Sequence, residues 1–531
     1  MSAWFLPGLL QLVVAVTAFG PKDYLWPLPQ SVNCADTTTY PINQESFKFV
    51  GAGPGGQLVP LTQAFQRYRR ILFKSPSTAR KDVKRSHDSP SDFQLDMLIV
   101  EVISADASLT AGTDESYELI VTERNGGHLQ ATTVYGALRG METFSQLVLQ
   151  DESGMHYVTS CLISDKPRFQ YRGTLIDTAR HFIPLEVLFR HLDAMAYNKF
   201  NVLHWHIVDD QSFPYQSYLF PNLSAEGAYD QNHIYTQENV ANLIEYAKNL
   251  GIRVIPEFDT PGHSHSWMAQ RDLLTPCYSH REPNGTYGPI NPILESTYTF
   301  LASFYKEISD VFPDQYVFLG GDEVNTTCWL SNPDIKKWLK EHRTEDPLAL
   351  MQYFVTRLTE IVDNIGKDYF VWQDVFDYGV IPHPNTVIGV WKNWEGFRYT
   401  DELVKLTAAG YKVVLSACWY LNYFSYGKHW FQYYACDPQN FTGTAAQKEL
   451  VIGGTAAIWG EYVDGTNLLS RLWPRASLVG ERLWSNMNDT TDLVSATTRL
   501  HHHRCRMLRR GINAEPIEGP GFCPDVYVPP I

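Results

Sequence analysis

The sequence predicts an α/β protein: a (β/α)8 barrel catalytic domain preceded by a small α+β domain. From about residue 166 a short apolar segment, ending in polar or aromatic residues, occurs eight times, and helical stretches separate most copies. Before that point, strand-like and helix-like signals are mixed without such a repeat. The 531 residues suit a barrel-sized domain plus one small domain.

The chain opens on "WFLPGLLQLVVAVTA", an apolar run too short and too early for a membrane span. Small residues follow it, so residues 1–18 read as a signal peptide, although its only positive charge is the amino terminus. Residues 19–165 form the small domain. "LDMLIVEVIS" and "YELIVTER" are strand-like, "RNGGH" has turn chemistry, and "TTVYGALRGMETFSQLV" has the periodicity of an amphipathic helix. Between them, "KSPSTARKDVKRSHDSPSD" is basic and polar and reads as an exposed, protease-sensitive loop.

Residues 166–531 form the barrel. Its strand segments are "YRGTLIDTAR", "FNVLHWHIVDD", "IRVIPEFDTPGH", "YVFLGGDE", "YFVWQDVF", "TVIGVW", "YKVVLSACWYLN" and "GGTAAIWGE". Helices are expected over "LEVLFRHLDAMAYN", "TQENVANLIEYAKNL", "TYTFLASFYKEISDVF" and "ALMQYFVTRLTEIVDNI", and a last one over "TTDLVSATTRLHHHRCRMLRRG". The connection between the fifth and sixth segments carries the weakest helical signal. The run His501–His503 lies in the last helix, where consecutive side chains fan apart, so a solvated or partly packed face is expected.

A composition of 44% hydrophobic and 19% charged residues is an ordinary globular balance. The net charge of −15 argues against a nucleic-acid binder, which would carry a basic face. No later run approaches the roughly 20 apolar residues a membrane span needs. Eight cysteines, an even count, fit an oxidising compartment, and no CxxC or Cys/His spacing suggests zinc. Asn222, Asn284, Asn440 and Asn488 head glycosylation sequons; a fifth, Asn325, lies so close to Asp322 and Glu323 that a glycan is not expected there.

In such a barrel the active site lies at the C-terminal ends of the strands. Those ends offer Arg180, His204, His206, Asp209, Asp210, Asp259, His263, Asp322, Glu323, Trp372, Asp374, Trp391, Trp419, Tyr420, Trp459 and Glu461. Aromatic faces beside carboxylates suit a sugar, whose C–H faces stack on rings and whose hydroxyls bond to acids and Arg. Adjacent residues on a strand point to opposite faces, but Gly320–Gly321 can relax the pleat so that Asp322 and Glu323 both face the mouth. The His204-x-His206 pair has a competing reading as a metal-dependent hydrolase site. Too few further His or Lys ligands and too many tryptophans argue against it, so no metal and no cofactor are expected.

"RGTLIDTARHFIP", "YNKFNVLHWHIVDDQSFPY", "EFDTPGHSHSW", "LGGDEV", "SACWYLN" and "WGEYVDGTNL" together resemble the β-N-acetylhexosaminidases of glycoside hydrolase family 20, animal lysosomal hexosaminidase subunits among them. "LWPLPQ" and "VYGALRGMETFSQLV" extend the resemblance into the first domain. It implies a retaining mechanism in which the substrate's own 2-acetamido oxygen attacks the anomeric carbon. By that resemblance Glu323 is the general acid, Asp322 holds the acetamido N–H, and Tyr420 bonds the acetamido carbonyl. Arg180 and Glu461 bind the ring hydroxyls, Trp372, Trp391 and Trp459 wall the pocket, and Asp209 with His263 tunes the acid. His206 and Asp210 are left as structural supports.

Cys277 with Cys328 and Cys505 with Cys523 match family disulfide positions. Cys418 and Cys436 flank the loop of the seventh strand and are predicted to pair. Cys34 and Cys161 are left over, with pairing and free thiols both open. Where the α-type subunit has Asn-Arg after "WYL" and the β-type Asp-Leu, this chain has Asn422-Tyr423. The cationic partner is absent, so neutral terminal β-linked GlcNAc or GalNAc is expected to be preferred. The resemblance further implies a homodimer or a heterodimer with a related subunit, in the lysosome or secreted. The competing class is a non-enzymatic glycan-binding relative, which would have no need of an acid at the scissile bond.

Overall fold

The computed structural model describes residues 20–73, 93–151, 154–270 and 272–523. The leader over residues 1–18 and the basic loop over 74–92 lie outside the described residues.

Eight parallel strands close a barrel. In chain order they are Tyr171–Asp177, Val202–Val208, Arg253–Phe258, Tyr316–Phe318, Asp368–Trp372, Val387–Val390, Lys412–Leu415 and Val451–Ile458, the last pairing back onto the first. Six of the eight fall within the segments read from the sequence, and Asp368–Trp372 and Val451–Ile458 begin one and two residues before theirs. They are buried on both faces, as near-continuous apolar runs require. The helices Leu185–Tyr197, Gln237–Asn249, Glu295–Val311 and Leu348–Asn364 make the first four crossovers. Thr236 caps the second of these in a reciprocal capping box with Asn239. Between the fifth and sixth strands there is only the single turn Asp374–Asp377, which accounts for the faint helical signal there.

The first domain is a sheet in the order Ser31–Ile42, His156–Asp165, Tyr117–Thr122, Gly126–Ala131, Met97–Val102, Lys48–Ala52. The "RNGGH" turn joins two of its strands as an antiparallel hairpin, with Gly126 at φ +67°. Both edge strands escape the sequence reading. Ser31–Ile42 is polar and contains Pro41, which an edge tolerates and a central strand does not.

One expectation needs correction. Helix Val134–Leu147 is not amphipathic in use: all fourteen of its residues are buried. The sheet covers one side, with Gly140 against Leu129 and Tyr117. The barrel covers the other, where Arg139 donates to the carbonyls of Phe200, Leu250 and Gly251. Fully buried ion pairs stitch the same interface: Glu115 accepts from Arg139 at 2.8 Å and from Arg172 at 2.6 Å, and Lys199 Nζ meets Asp165 at 2.8 Å.

All eight cysteines pair. Cys277–Cys328, Cys505–Cys523 and Cys418–Cys436 form as expected, and Cys34–Cys161, left open by the sequence, joins directly opposed residues of the first domain's sheet. The His501–His503 run is less solvated than its composition suggests. His501 faces Glu518 at the surface, but His503 is buried and hydrogen-bonded to Asn198. Asn222, Asn284, Asn325, Asn440 and Asn488 are all exposed. No helix among the described residues is long and apolar enough to cross a membrane.

Candidate active site

The fourth strand stops at Phe318, and the backbone then enters the left-handed region at Gly320 (φ +75°), Gly321 (φ +96°) and Glu323 (φ +49°). Glycine is required at the first of these, since a Cβ there would lie 1.7 Å from Asp259 Oδ1. Glu323 is held in a conformation costly for a side-chain-bearing residue, as is His263 at φ +48°. The result brings the two neighbouring acids to one imidazole: His263 Nε2 lies 3.8 Å from Asp322 Oδ2 and 3.6 Å from Glu323 Oε2. They differ in setting, because Asp322 is buried whereas the Glu323 side chain is 59% exposed.

His263 Nδ1 is 3.1 Å from Asp209 Oδ1, and Asp209 Oδ2 meets both Arg180 Nη2 and His206 Nε2 at 2.8 Å. Arg180 also pairs with Asp177 at 3.0 Å and lies over the Trp459 ring. At the centre of the barrel stands Glu257, which sequence reasoning missed. Its Oε2 is hydrogen-bonded to His204 Nε2 at 2.8 Å and His206 Nδ1 at 2.7 Å, and its Oε1 accepts from Trp372 Nε1 at 2.8 Å. Strand parity could have found it, since Glu257 shares a face with Asp259 as His204 does with His206. Both ring nitrogens of His206 are thereby hydrogen-bonded to carboxylates, Nδ1 to Glu257 and Nε2 to Asp209. Among the described residues, Asp209, Asp210 and His263, and likewise Asp259, His263 and Asp322, are close enough together to hold a cation.

Around these acids stand the aromatic residues. Trp372 and Trp459 are 6.2 Å apart, Tyr420 is 6.5 Å from Trp459, and Trp391 is stacked 6.3 Å from Tyr420. Trp391 Nε1 donates to Asp374 Oδ2 at 2.7 Å. Glu461 is exposed and close enough to Arg180 and Tyr423 for its charge to act on both. Asn422 takes a hydrogen bond from Arg471 on its backbone carbonyl, and its buried Oδ1 has no protein partner. Two strand-end residues do not line the mouth as ligands. Trp419 is wholly buried, donating to the Tyr433 carbonyl, and Asp210 accepts the backbone N–H of His265.

Burial pushes the Asp322 carboxyl above the usual range, and pushes Asp259 beside it further, in part through the charge of Asp322. Both carboxyls are thus biased toward the protonated form, each first by burial. Burial would depress His263, but Asp209 and Glu323 outweigh it and raise it above the ordinary histidine value. Glu323 is held below the usual range, first by His263. Burial would likewise depress His206, yet Glu257 and Asp209 raise it to about 10. Against the effect of burial, the charge of His206 on Glu257 and hydrogen bonds from His206 and His263 to Asp209 lower both carboxyls.

These shifts set a pH dependence of stability. Asp259 and Asp322 bind protons more tightly folded than unfolded, so their contribution is whole below the ordinary carboxylate range and is lost as pH rises toward neutral. That of His206 is whole below the ordinary histidine value and lost as pH rises toward about 10. Glu257 and Asp209 lose theirs only in strong acid. Calorimetry should therefore give a higher melting temperature at about pH 5 than at about pH 8, with a shallower slope in Asp259→Asn. A melting temperature that rises from the first pH to the second would contradict this.

A family model described as "Glycosyl hydrolase family 20, catalytic domain" matches residues 169–487, and one described as "beta-acetyl hexosaminidase like" matches residues 25–147. The chain is 49% identical to the beta-hexosaminidase subunit beta of Felis catus, over 98% of each chain. It is 47% identical to the subunit alpha of Rattus norvegicus, over 94% of each. Among solved structures, a chitobiase of Flavobacterium johnsoniae superposes with a TM-score of 0.79 at 30% identity, over 92% of this chain and 73% of that one. A Vibrio harveyi exo-β-N-acetylglucosaminidase in complex with N-acetylglucosamine shares the fold, with a TM-score of 0.74 at 22% identity, over 94% and 79%. With both halves of the chain matched and near-half identity over almost its whole length, the chain belongs to glycosyl hydrolase family 20 and is a glycoside hydrolase.

Proposed function

We propose that the chain is a retaining exo-β-N-acetylhexosaminidase that removes terminal non-reducing GlcNAc or GalNAc by substrate-assisted catalysis. The observation that carries this is the convergence of Asp322 and Glu323 on His263 under an aromatic cage, one acid buried and the other open to solvent.

Glu323 gives its proton to the leaving oxygen as the acetamido oxygen bonds to the anomeric carbon and the glycosidic bond breaks. Asp322, taking the acetamido N–H, stabilises the positive charge that forms on the cyclic intermediate. Water then opens that ring, its proton passing to Glu323. Tyr420, whose burial keeps its hydroxyl protonated well past the usual range, donates to the acetamido carbonyl. Trp372, Trp391 and Trp459 enclose the acetamido group and ring, Arg180 and Glu461 take ring hydroxyls, and Asn422 contributes to substrate binding. Asp209 and His263 set the proton affinity of Glu323. A dimer, with itself or a related subunit, and a secretory route to the lysosome or outside the cell belong to the same reading, supported by the matched subunits and four disulfides.

The test is hydrolysis of paired chromogenic N-acetylglucosaminides, one neutral and one 6-sulfated, across acidic pH. Turnover of neither would favour a glycan-binding relative. With Tyr423, 62% exposed, at the position of the α-type arginine, the neutral substrate should be preferred. Tyr423→Arg should raise kcat/KM on the sulfated substrate about tenfold relative to the neutral one, by restoring a charge-assisted contact. An unchanged ratio would dissociate Tyr423 from charge selection.

A further inference from the structure

Beyond Trp391 the chain folds into a tight turn. The Trp394 N–H donates to the Phe397 carbonyl at 3.0 Å, and the Phe397 N–H returns the bond at 2.9 Å, with Glu395 and Gly396 at the tip. Gly396, at φ +89°, supplies the left-handed position that such a turn requires. A pair exchanging both backbone bonds sends its side chains to the same face. The two rings accordingly lie 5.3 Å apart, and Trp394 lies 5.3 Å from Trp391 in the cage. Trp394 is 46% and Phe397 41% exposed, so neither is spent on the core.

The root of the turn is pinned. Gln373 Oε1 accepts the N–H groups of Trp391 and Lys392 at 2.9 and 3.0 Å. Lys392 bridges Asp374 at 3.0 Å and Asp377 at 2.9 Å, so its charge is spoken for. The turn also stands on the side of the acid. Asp374 bonds Trp391 with one oxygen and lies 3.5 Å from the Glu323 N–H with the other, and Lys392 is near enough to lower the Glu323 carboxyl, behind His263 and Arg180. Glu323 is where the leaving oxygen receives its proton, so whatever departs with that oxygen lies beside this turn.

We propose that Trp394 and Phe397 form a stacking subsite for the leaving sugar, the next residue of an unbranched, neutral, β-linked N-acetylhexosamine oligosaccharide. This rests on the role given to Glu323 above. A rigid, half-exposed aromatic pair with its neighbouring cation neutralised offers C–H stacking and no attraction for an anion. It would make the enzyme read the length of its substrate as well as its terminal residue.

The experiment compares N,N′-diacetylchitobiose with the methyl β-glycoside of N-acetylglucosamine, whose leaving group is too small to reach the turn. Trp394→Ala should raise KM for the disaccharide about tenfold and leave kcat/KM for the methyl glycoside unchanged, with Phe397→Ala weaker and Trp394→Phe restoring most of the loss. Equal effects on both substrates, or none on either, would overturn the subsite. So would a loss that tracks a change in sedimentation, since the pair would then be a contact between copies of the chain. Wild-type enzyme inactive on both substrates would instead sink the assignment of Glu323, which separates the two failures.

Discussion

Glu323→Gln is expected to lower kcat/KM about 10²–10⁴-fold on an oligosaccharide, the usual range for loss of a general acid. A dinitrophenyl glycoside, whose leaving group needs no proton, should keep most of its kcat/KM. Its kcat should still fall, because the same carboxylate takes the proton from water when the cyclic intermediate opens. The substitution is nearly isosteric and the side chain is 59% exposed, so unfolding cannot imitate the result. In the unliganded site His263 holds this carboxyl below the usual range, the reverse of what a resting acid needs. A sugar laid over Glu323 removes water from it and raises it toward protonation. The kcat profile, which reports the enzyme–substrate complex, should therefore fall as pH rises, and Glu323→Gln should flatten that limb. An unchanged profile with equal losses on both leaving groups would take the acid role from Glu323.

Lys199→Met is expected to destabilise the protein by about 3–5 kcal/mol, the usual result of stripping the partner from a fully buried charge. Lys199 is enclosed by Asp165, the Tyr117 hydroxyl at 3.0 Å and the Trp484 ring, with its own side chain and that of Asp165 wholly buried. Without the ammonium, Asp165 would keep only its neutral donors, among them Tyr117 at 2.6 Å and the Trp484 indole at 3.0 Å. The buried carboxylate would be left without a cationic partner. Adding Asp165→Asn to Lys199→Met should recover part of the loss in urea unfolding, a coupling that independent sites would lack. Additive effects would mean that the pair contributes nothing to the joint between the domains.

The barrel was legible because its strands are buried on both faces and so read as apolar runs, and because each run stops at chemically distinctive residues. The "GGDE" stretch announced its geometry: two glycines at positive φ and two acids turned to one side. Glu257 was hidden by its place in mid-strand, where a single charge in "IRVIPEF" looks like an interruption. Its partners come from other strands, so nothing local marks it. Trp394 and Phe397 lie in a turn, where exposed aromatic residues follow no period. The edge strand Ser31–Ile42 was hidden by its polar composition and by Pro41, which reads as a break.

Helix Val134–Leu147 has no water-facing side, and this bears on how the protein is made. A chain synthesised from its amino end completes this helix before any barrel strand exists. Until the segment around Phe200 and Gly251 has emerged, Arg139 lacks the carbonyl oxygens it binds, and half of the helix surface lies bare. Until the barrel folds, the first domain is therefore expected to carry an uncovered apolar face. Cutting between residues 165 and 166 would divide one folding unit, so the boundary so visible in the sequence marks a change of architecture and not a seam.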